Sequence, residues 1–280
     1  MFHLKNILSN FIIILLLISC SSNNSTSPED ISSDSSINTS DEKKDYEYDS
    51  SFTKEELDFL KEIDRAYPYY NVGLNGFGIS GTAPKGTKIT ISEKTYALEL
   101  LALLRLSVNK DEFANAVRNR SFKSSVTDSY PSSAFNINLG DTYNNERLIT
   151  VLKNASYNTT YIKNYHKEQI AYADVGNSLY VRYGYQSDIK FGKQILLPNL
   201  NWQTEFASGI GFYFAALLFH EHMHNLGFDH KGNFNTPLDF QNMLPREVFR
   251  EMTLKYPTEY EKLKKYYLLR YRKFLTSDTI

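Results

Sequence analysis

The sequence predicts an α+β fold, with helices and a small sheet drawn from separate stretches of a 280-residue chain. Three observations carry this expectation. Leucines and other apolar residues surround most of the circumference of a helical segment at 93–108. A second segment, beginning near Thr204 or Ser208, is apolar nearly all round and runs into a cluster of histidines. Short runs at 179–185 and 193–197 have the alternation or compact apolar character of strands. With 41% hydrophobic and 22% charged residues, the composition is that of a globular protein.

Taken in order, the chain opens on a targeting pattern. Lys5 supplies positive charge, Phe11 to Ile18 is uninterrupted and apolar, and Ser19 precedes Cys20. That stretch is too short to span a bilayer comfortably. Ser21 to Ser51 is dominated by Ser, Asn, Asp, Glu and Thr, so it cannot bury enough surface to order itself, and 20–51 reads as a tether. Order is expected from Thr53, where Thr53 and Glu56 fit a capping box and Leu57, Leu60, Ile63 and Tyr67 follow at helical spacing up to Pro68.

Asn71 to Thr87 reads as a glycine-rich loop. Gly76, Gly78 and Gly81 match the spacing of a dinucleotide-binding turn, but no buried strand precedes them, and Thr82, Ala83, Pro84 and Lys85 follow where a helix is required. A short strand is expected at 88–91, and helices at 111–118 and 144–154. The tyrosine-rich stretch up to His166 has no readable period. Beyond the histidines, 246–256 and 257–275 read as two charged amphipathic helices separated at Pro257. Residues 52–280 are expected to form one domain, in which 52–165 is either integral, a separate N-terminal subdomain, or a propeptide.

Charge and cysteine content exclude several functions. Thirty-one basic residues balance 32 acidic ones without a basic run of five, so no phosphate-tracking surface for nucleic acid is expected. Cys20 is the only cysteine, which rules out an intramolecular disulfide and any zinc site built on several thiolates. The abundant Tyr and Phe read as core and groove packing.

Four of the six histidines fall within eleven residues, and His220 to His230 fit HExxHxxGxxH without a gap. On a helix, His220 and His224 project from one face, close enough for both imidazoles to reach one ion. Gly227 can adopt the left-handed conformation that ends a helix, letting the chain turn back and offer His230. Three neutral imidazoles leave a fourth tetrahedral position for water, whose pKa zinc lowers to about 7. Glu221, at the edge of the ligand face, is placed as its general base. His222 points away from that face, and Asp229 reads as support for the turn or for a neighbouring histidine.

This stretch resembles the zinc-binding consensus of the metzincin metalloproteases, and HNLGFDH is closest to adamalysin-type sites. The resemblance implies a zincin-like fold with a small twisted sheet, a central zinc-binding helix and C-terminal helices. It implies His220, His224 and His230 as ligands of one zinc ion, Glu221 as base, and Gly227 as the helix-ending turn. It also implies a methionine turn at Met243, thirteen residues beyond His230, although Gln241 stands where family members usually have serine. Leu17 to Cys20 resembles the lipobox of bacterial lipoproteins. That implies removal of residues 1–19, acylation of Cys20, and a lipid-anchored place in the bacterial cell envelope.

These readings converge on a surface-tethered zinc endopeptidase acting on protein or peptide substrates. Two competitors share its residues: a surface lipoprotein that binds zinc without turnover, and a zinc hydrolase of a non-protein amide or ester. Glu221 argues against the first, since binding alone has no use for a base.

Overall fold

Thr53 and Glu56 form both halves of the expected capping box: the Glu56 amide donates to the threonine hydroxyl, and the Thr53 amide donates to the glutamate carboxylate. In the computed structural model, residues 46, 49–79, 83, 85–125, 135, 137–163, 171–173, 186–191 and 210–280 are described. The targeting segment, Cys20, Gly81, His166 and the expected strands at 179–185 and 193–197 lie outside them.

In chain order the elements are α1 (Lys54–Ala66), β1 (Asn71–Ile79), α2 (Ile91–Val108), α3 (Asp111–Arg118), α4 (Asn145–Lys153), β2 (Ser156–Lys163), β3 (Ala171–Ala173) and β4 (Gln186–Phe191). They continue with α5 (Ile210–Asn225), α6 (Thr236–Leu244), a π-helical turn (Pro245–Phe249), α7 (Arg250–Lys255), α8 (Pro257–Arg270) and a final 3-10 turn (Arg272–Phe274). The segment expected as one helix at 246–256 is thus a π-helical turn running into α7. Among the described residues, no helix is long and apolar enough to cross a membrane.

The four strands lie in the order β1-β2-β4-β3, parallel except for the antiparallel pair β3 and β4. Two expectations need correction here. Asn71 to Ile79 is a strand rather than a glycine-rich loop, paired along β2 with a bulge between Leu74 and Gly76. Its glycines admit close neighbours: a Cβ on Gly73 would collide with the Asn158 side chain and the Tyr271 hydroxyl. That hydroxyl accepts the Leu74 amide at 3.0 Å. The second correction is at 88–91, where only Ile89 pairs, in a single bridge to Thr279, and a capping box of Thr90 and Glu93 starts α2 at once.

The unreadable tyrosine-rich stretch contains β2, whose burial alternates strictly. Tyr157, Thr159, Tyr161 and Lys163 face inward. Inward positions filled by Tyr, Thr and Lys hide the usual apolar period. Lys163 is accommodated by an ion pair with buried Glu93 at 2.6 Å.

Helix α2 is buried on every side from Tyr96 to Val108 and packs against α5, α8 and β1. The charge of Arg105 inside it is paired: its Nη2 donates to Asp64 at 2.6 Å, and Nε and Nη2 both donate to the Tyr67 carbonyl. One hydrophobic cluster runs from Tyr46 to Tyr271. Buried residues of 52–163 thus belong to the same cluster as those of the histidine helix. Packing also starts ahead of Thr53, inside the stretch read as tether, because buried Tyr46 donates its hydroxyl to Asp64 at 2.5 Å.

Candidate metal centre

Helix α5 carries the motif. Its first part, Phe214 to Phe219, is buried among core side chains, and the helix packs against α6, α2 and β3. His220, Glu221, His222, Met223 and His224 continue into the same interior, with Glu221 only 2% exposed. A polar helix end held this deep must have internal partners.

The helix ends where the sequence predicts. Gly227 takes φ 87, and the Phe228 and Gly227 amides donate back to the Met223 and His224 carbonyls at 3.0 and 2.9 Å. This paired 6→1 and 5→2 pattern closes the helix at a left-handed residue, where glycine avoids a side-chain clash. The chain then reverses, and the Asp229 carboxylate accepts the His230 amide at 2.7 Å while its other oxygen meets Lys231 at 3.1 Å. Asp229 supports the turn, as expected.

The turn brings three imidazoles together. His220 Nε2 lies 3.1 Å from His224 Nε2 and 3.0 Å from His230 Nε2, and all three candidate ligand atoms fall within 4.8 Å of one another. A tetrahedral ion with metal–nitrogen bonds of about 2.0–2.1 Å separates its ligand nitrogens by about 3.3 Å, close to this spacing. The tautomers fit as well. His224 Nδ1 donates to the Phe228 carbonyl at 2.8 Å, which leaves its Nε2 as a bare lone pair aimed at the other rings. Such a lone pair is repelled by its neighbours unless a proton or a cation lies between them.

Burial also keeps two of these rings, His220 and His224, neutral. It pushes His224 down to about 4, helped by nearby His230, and holds His220 well below the usual imidazole range, helped by His224 and His230. Neutral imidazole is the form that binds a metal. The set can therefore hold one ion among His220, His224 and His230.

His222 does point to the other side, and sequence reasoning missed what it meets there. Tyr70 Oη lies 2.5 Å from Nδ1, Tyr161 Oη lies 3.4 Å from Nε2, and Tyr157 donates to the His222 carbonyl at 3.4 Å. Tyr70 precedes β1, whereas Tyr157 and Tyr161 are on β2, so a cage of tyrosines ties the histidine helix to the sheet. Burial holds His222 at about 3, hence neutral.

Met243 is buried, as a residue beneath the site would be, but it sits near the end of helix α6 rather than in an isolated turn. Gln241, on the same helix, places its side chain beside His220, with the Pro237 carbonyl close by. The sequence offered no sign of that contact beyond the unusual residue at this position.

Comparison with known proteins assigns no family. No protein-family model matches the chain, and neither a curated protein nor a solved structure matches it. The site stands on its own chemistry.

Proposed function

We propose that the chain is a zinc endopeptidase with a zincin-like fold, tethered to the surface of a bacterial envelope through Cys20. The observation that carries the reading is the convergence of three imidazoles, two of them buried and the third partly so, beside Glu221, within an uninterrupted HExxHxxGxxH sequence.

Zinc, which His220, His224 and His230 would hold, would supply Lewis acidity, lowering the pKa of a bound water to about 7 and polarising a substrate carbonyl. The residues do the rest. His220 and His224 are fixed by one helix, and His230 by the Gly227 turn, so the donor set is arranged before any ligand arrives. Glu221, next to His220, takes a proton from the attacking water at its carboxylate and delivers it to the leaving nitrogen. Burial around Glu221 excludes bulk solvent and strengthens the electrostatic interactions available to the reaction. The tether rests on Leu17 to Cys20 and the polar tract behind them, and comparing lipid labelling of the parent with Cys20→Ala tests it.

The reading is tested by loading the purified chain with zinc and exposing it to a diverse peptide mixture, with and without a chelator. Chelator-sensitive internal cleavage is expected. A zinc-loaded chain that cleaves no peptide but hydrolyses small amides or esters would transfer the assignment to a non-protein substrate. Stoichiometric zinc with no turnover of either kind would make this a binding protein.

A further inference from the structure

We propose that a ribbon made of residues 122–125 and 140–143 is a positioning platform for the third metal ligand, His230. The inference rests on the metal-site reading above and extends it to a part of the chain far from the motif.

His220 and His224 share one helix, so their spacing is set by α5 itself. His230 has no such frame. It lies in the irregular stretch between α5 and α6, where the Phe228 amide bonds to Met223, the His230 amide to Asp229, and Lys231 and Phe234 to each other. These bonds all stay within the reversal and the helix before it. Placing a ligand to the accuracy that a metal demands also takes contacts with a rigid neighbour. The ribbon is that neighbour. Its two halves pair antiparallel: the Tyr143 amide donates to the Phe122 carbonyl at 3.0 Å, the Ser124 amide to Asp141 at 2.7 Å, and the Gly140 amide to Ser124 at 2.9 Å.

The ribbon meets the reversal on both sides of His230. Two residues before it, the fully buried Phe228 ring packs edge-on against Tyr143, with centroids 5.9 Å apart, and Phe228 also supplies the carbonyl that orients His224. Four residues after it, the Phe234 ring lies on the bare backbone of Gly140: a Cβ there would sit 2.8 Å from Cζ and 2.9 Å from Cε2. Two residues further, the buried Thr236 hydroxyl donates to the Lys123 carbonyl at 2.8 Å and accepts from Ser125 at 3.1 Å. The same ribbon is registered to α5. Phe122 stacks on Phe240 at 4.6 Å, and Phe240 stacks at 5.6 Å on Phe219, the residue before His220. One element therefore sets the distance between the helix that carries two ligands and the reversal that carries the third.

The test combines zinc affinity of the full chain by chelator competition, the absorption spectrum of its cobalt form, and the folding transition of each metal-free protein. Phe234→Ala lifts the ring from Gly140 at a partly exposed position, so the variant should still fold. Thr236→Val keeps the shape and removes both hydroxyl bonds, whereas Thr236→Ser keeps the hydroxyl. Phe234→Ala and Thr236→Val should each weaken zinc binding by about 10- to 100-fold and alter the cobalt bands that report ligand geometry. Thr236→Ser should bind like the parent. A merely structural role would lower the folding transition and leave the affinity and cobalt spectrum of the folded protein unchanged. Parent affinity with the parent spectrum in either folded variant, Phe234→Ala or Thr236→Val, would overturn the proposal, and so would Thr236→Ser binding as weakly as Thr236→Val. A parent chain that takes up no zinc would instead remove the metal site itself.

Discussion

His224 donates its Nδ1 proton to the carbonyl of Phe228, four residues further on, across 2.8 Å. The bond joins the last turn of the motif helix to the reversal that delivers His230, so ligand geometry and chain reversal are one construction. Replacing the ring removes both. The parent is expected to bind one zinc ion per chain and His224→Ala to lose it, since two imidazoles and water make a poor site. Metal analysis after gentle desalting measures this, and full occupancy in the variant would sink the ligand assignment.

Gly227 is the hinge of the same construction, at φ 87. Gly227→Ala places a Cβ in the left-handed region and should destabilise the chain by about 1 kcal/mol. It should also weaken zinc binding, because relief of the clash re-aims His230. Chemical denaturation and chelator competition give the two numbers. An alanine variant with parent affinity would show that the third ligand does not depend on this turn.

The motif and its turn were legible because they are local: helical spacing places His220 beside His224, and a glycine three residues beyond marks the reversal. Capping boxes and the apolar helix α2 were legible for the same reason. What escaped was non-local. Gly73 looks like loop until Tyr271, almost two hundred residues away, is seen pressing against it. Strand β2 hides its period because its inward side chains are Tyr157, Thr159, Tyr161 and Lys163, whose polar ends are satisfied by partners elsewhere in the chain. Gln241 beside His220 is likewise a product of packing between two helices.

The tyrosine cage around His222 gives a third expectation. Tyr70→Phe removes the hydroxyl 2.5 Å from His222 Nδ1 and leaves a buried ring nitrogen with its main partner gone. A loss of about 1–3 kcal/mol is expected in denaturant unfolding. An unchanged midpoint would mean that the contact contributes no net stability.

Acid should destabilise the metal-free protein through its buried histidines. His224 is held at about 4, His222 at about 3, and His220 well below the ordinary value near 6.5, all chiefly by burial. In the unfolded chain these rings take up protons as pH falls through 6.5, while the folded ones stay neutral. The unfolded state then binds more protons, so stability present above pH 6.5 is lost as pH falls toward 4. Each ring contributes a slope of up to about 1.4 kcal/mol per pH unit, so the three together reach about 4 kcal/mol per unit as an upper bound. Denaturation midpoints between pH 7 and 4 test this, and a flat profile would contradict neutral burial of these rings. Bound zinc should move the loss to lower pH, because it too favours the neutral rings.

The last expectation separates catalysis from binding and rests on Glu221, 2% exposed and next to His220 on α5. None of the three candidate ligand atoms belongs to it. Its proposed task is proton transfer, and Glu221→Gln preserves size and polarity while removing the ability to accept a proton from water. Zinc affinity should change little, because His220, His224 and His230 keep the same helix and turn. Peptide hydrolysis should fall by about 10²- to 10⁴-fold, the range for a lost general base. The loss should lie mainly in kcat, with KM nearly unchanged, because the substrate contacts remain. Metal content, folding and peptide turnover of the variant must be measured beside the parent. A folded, zinc-loaded Glu221→Gln protein that hydrolyses peptide at the parent rate would remove Glu221 as the base and, with it, the mechanism proposed for this site.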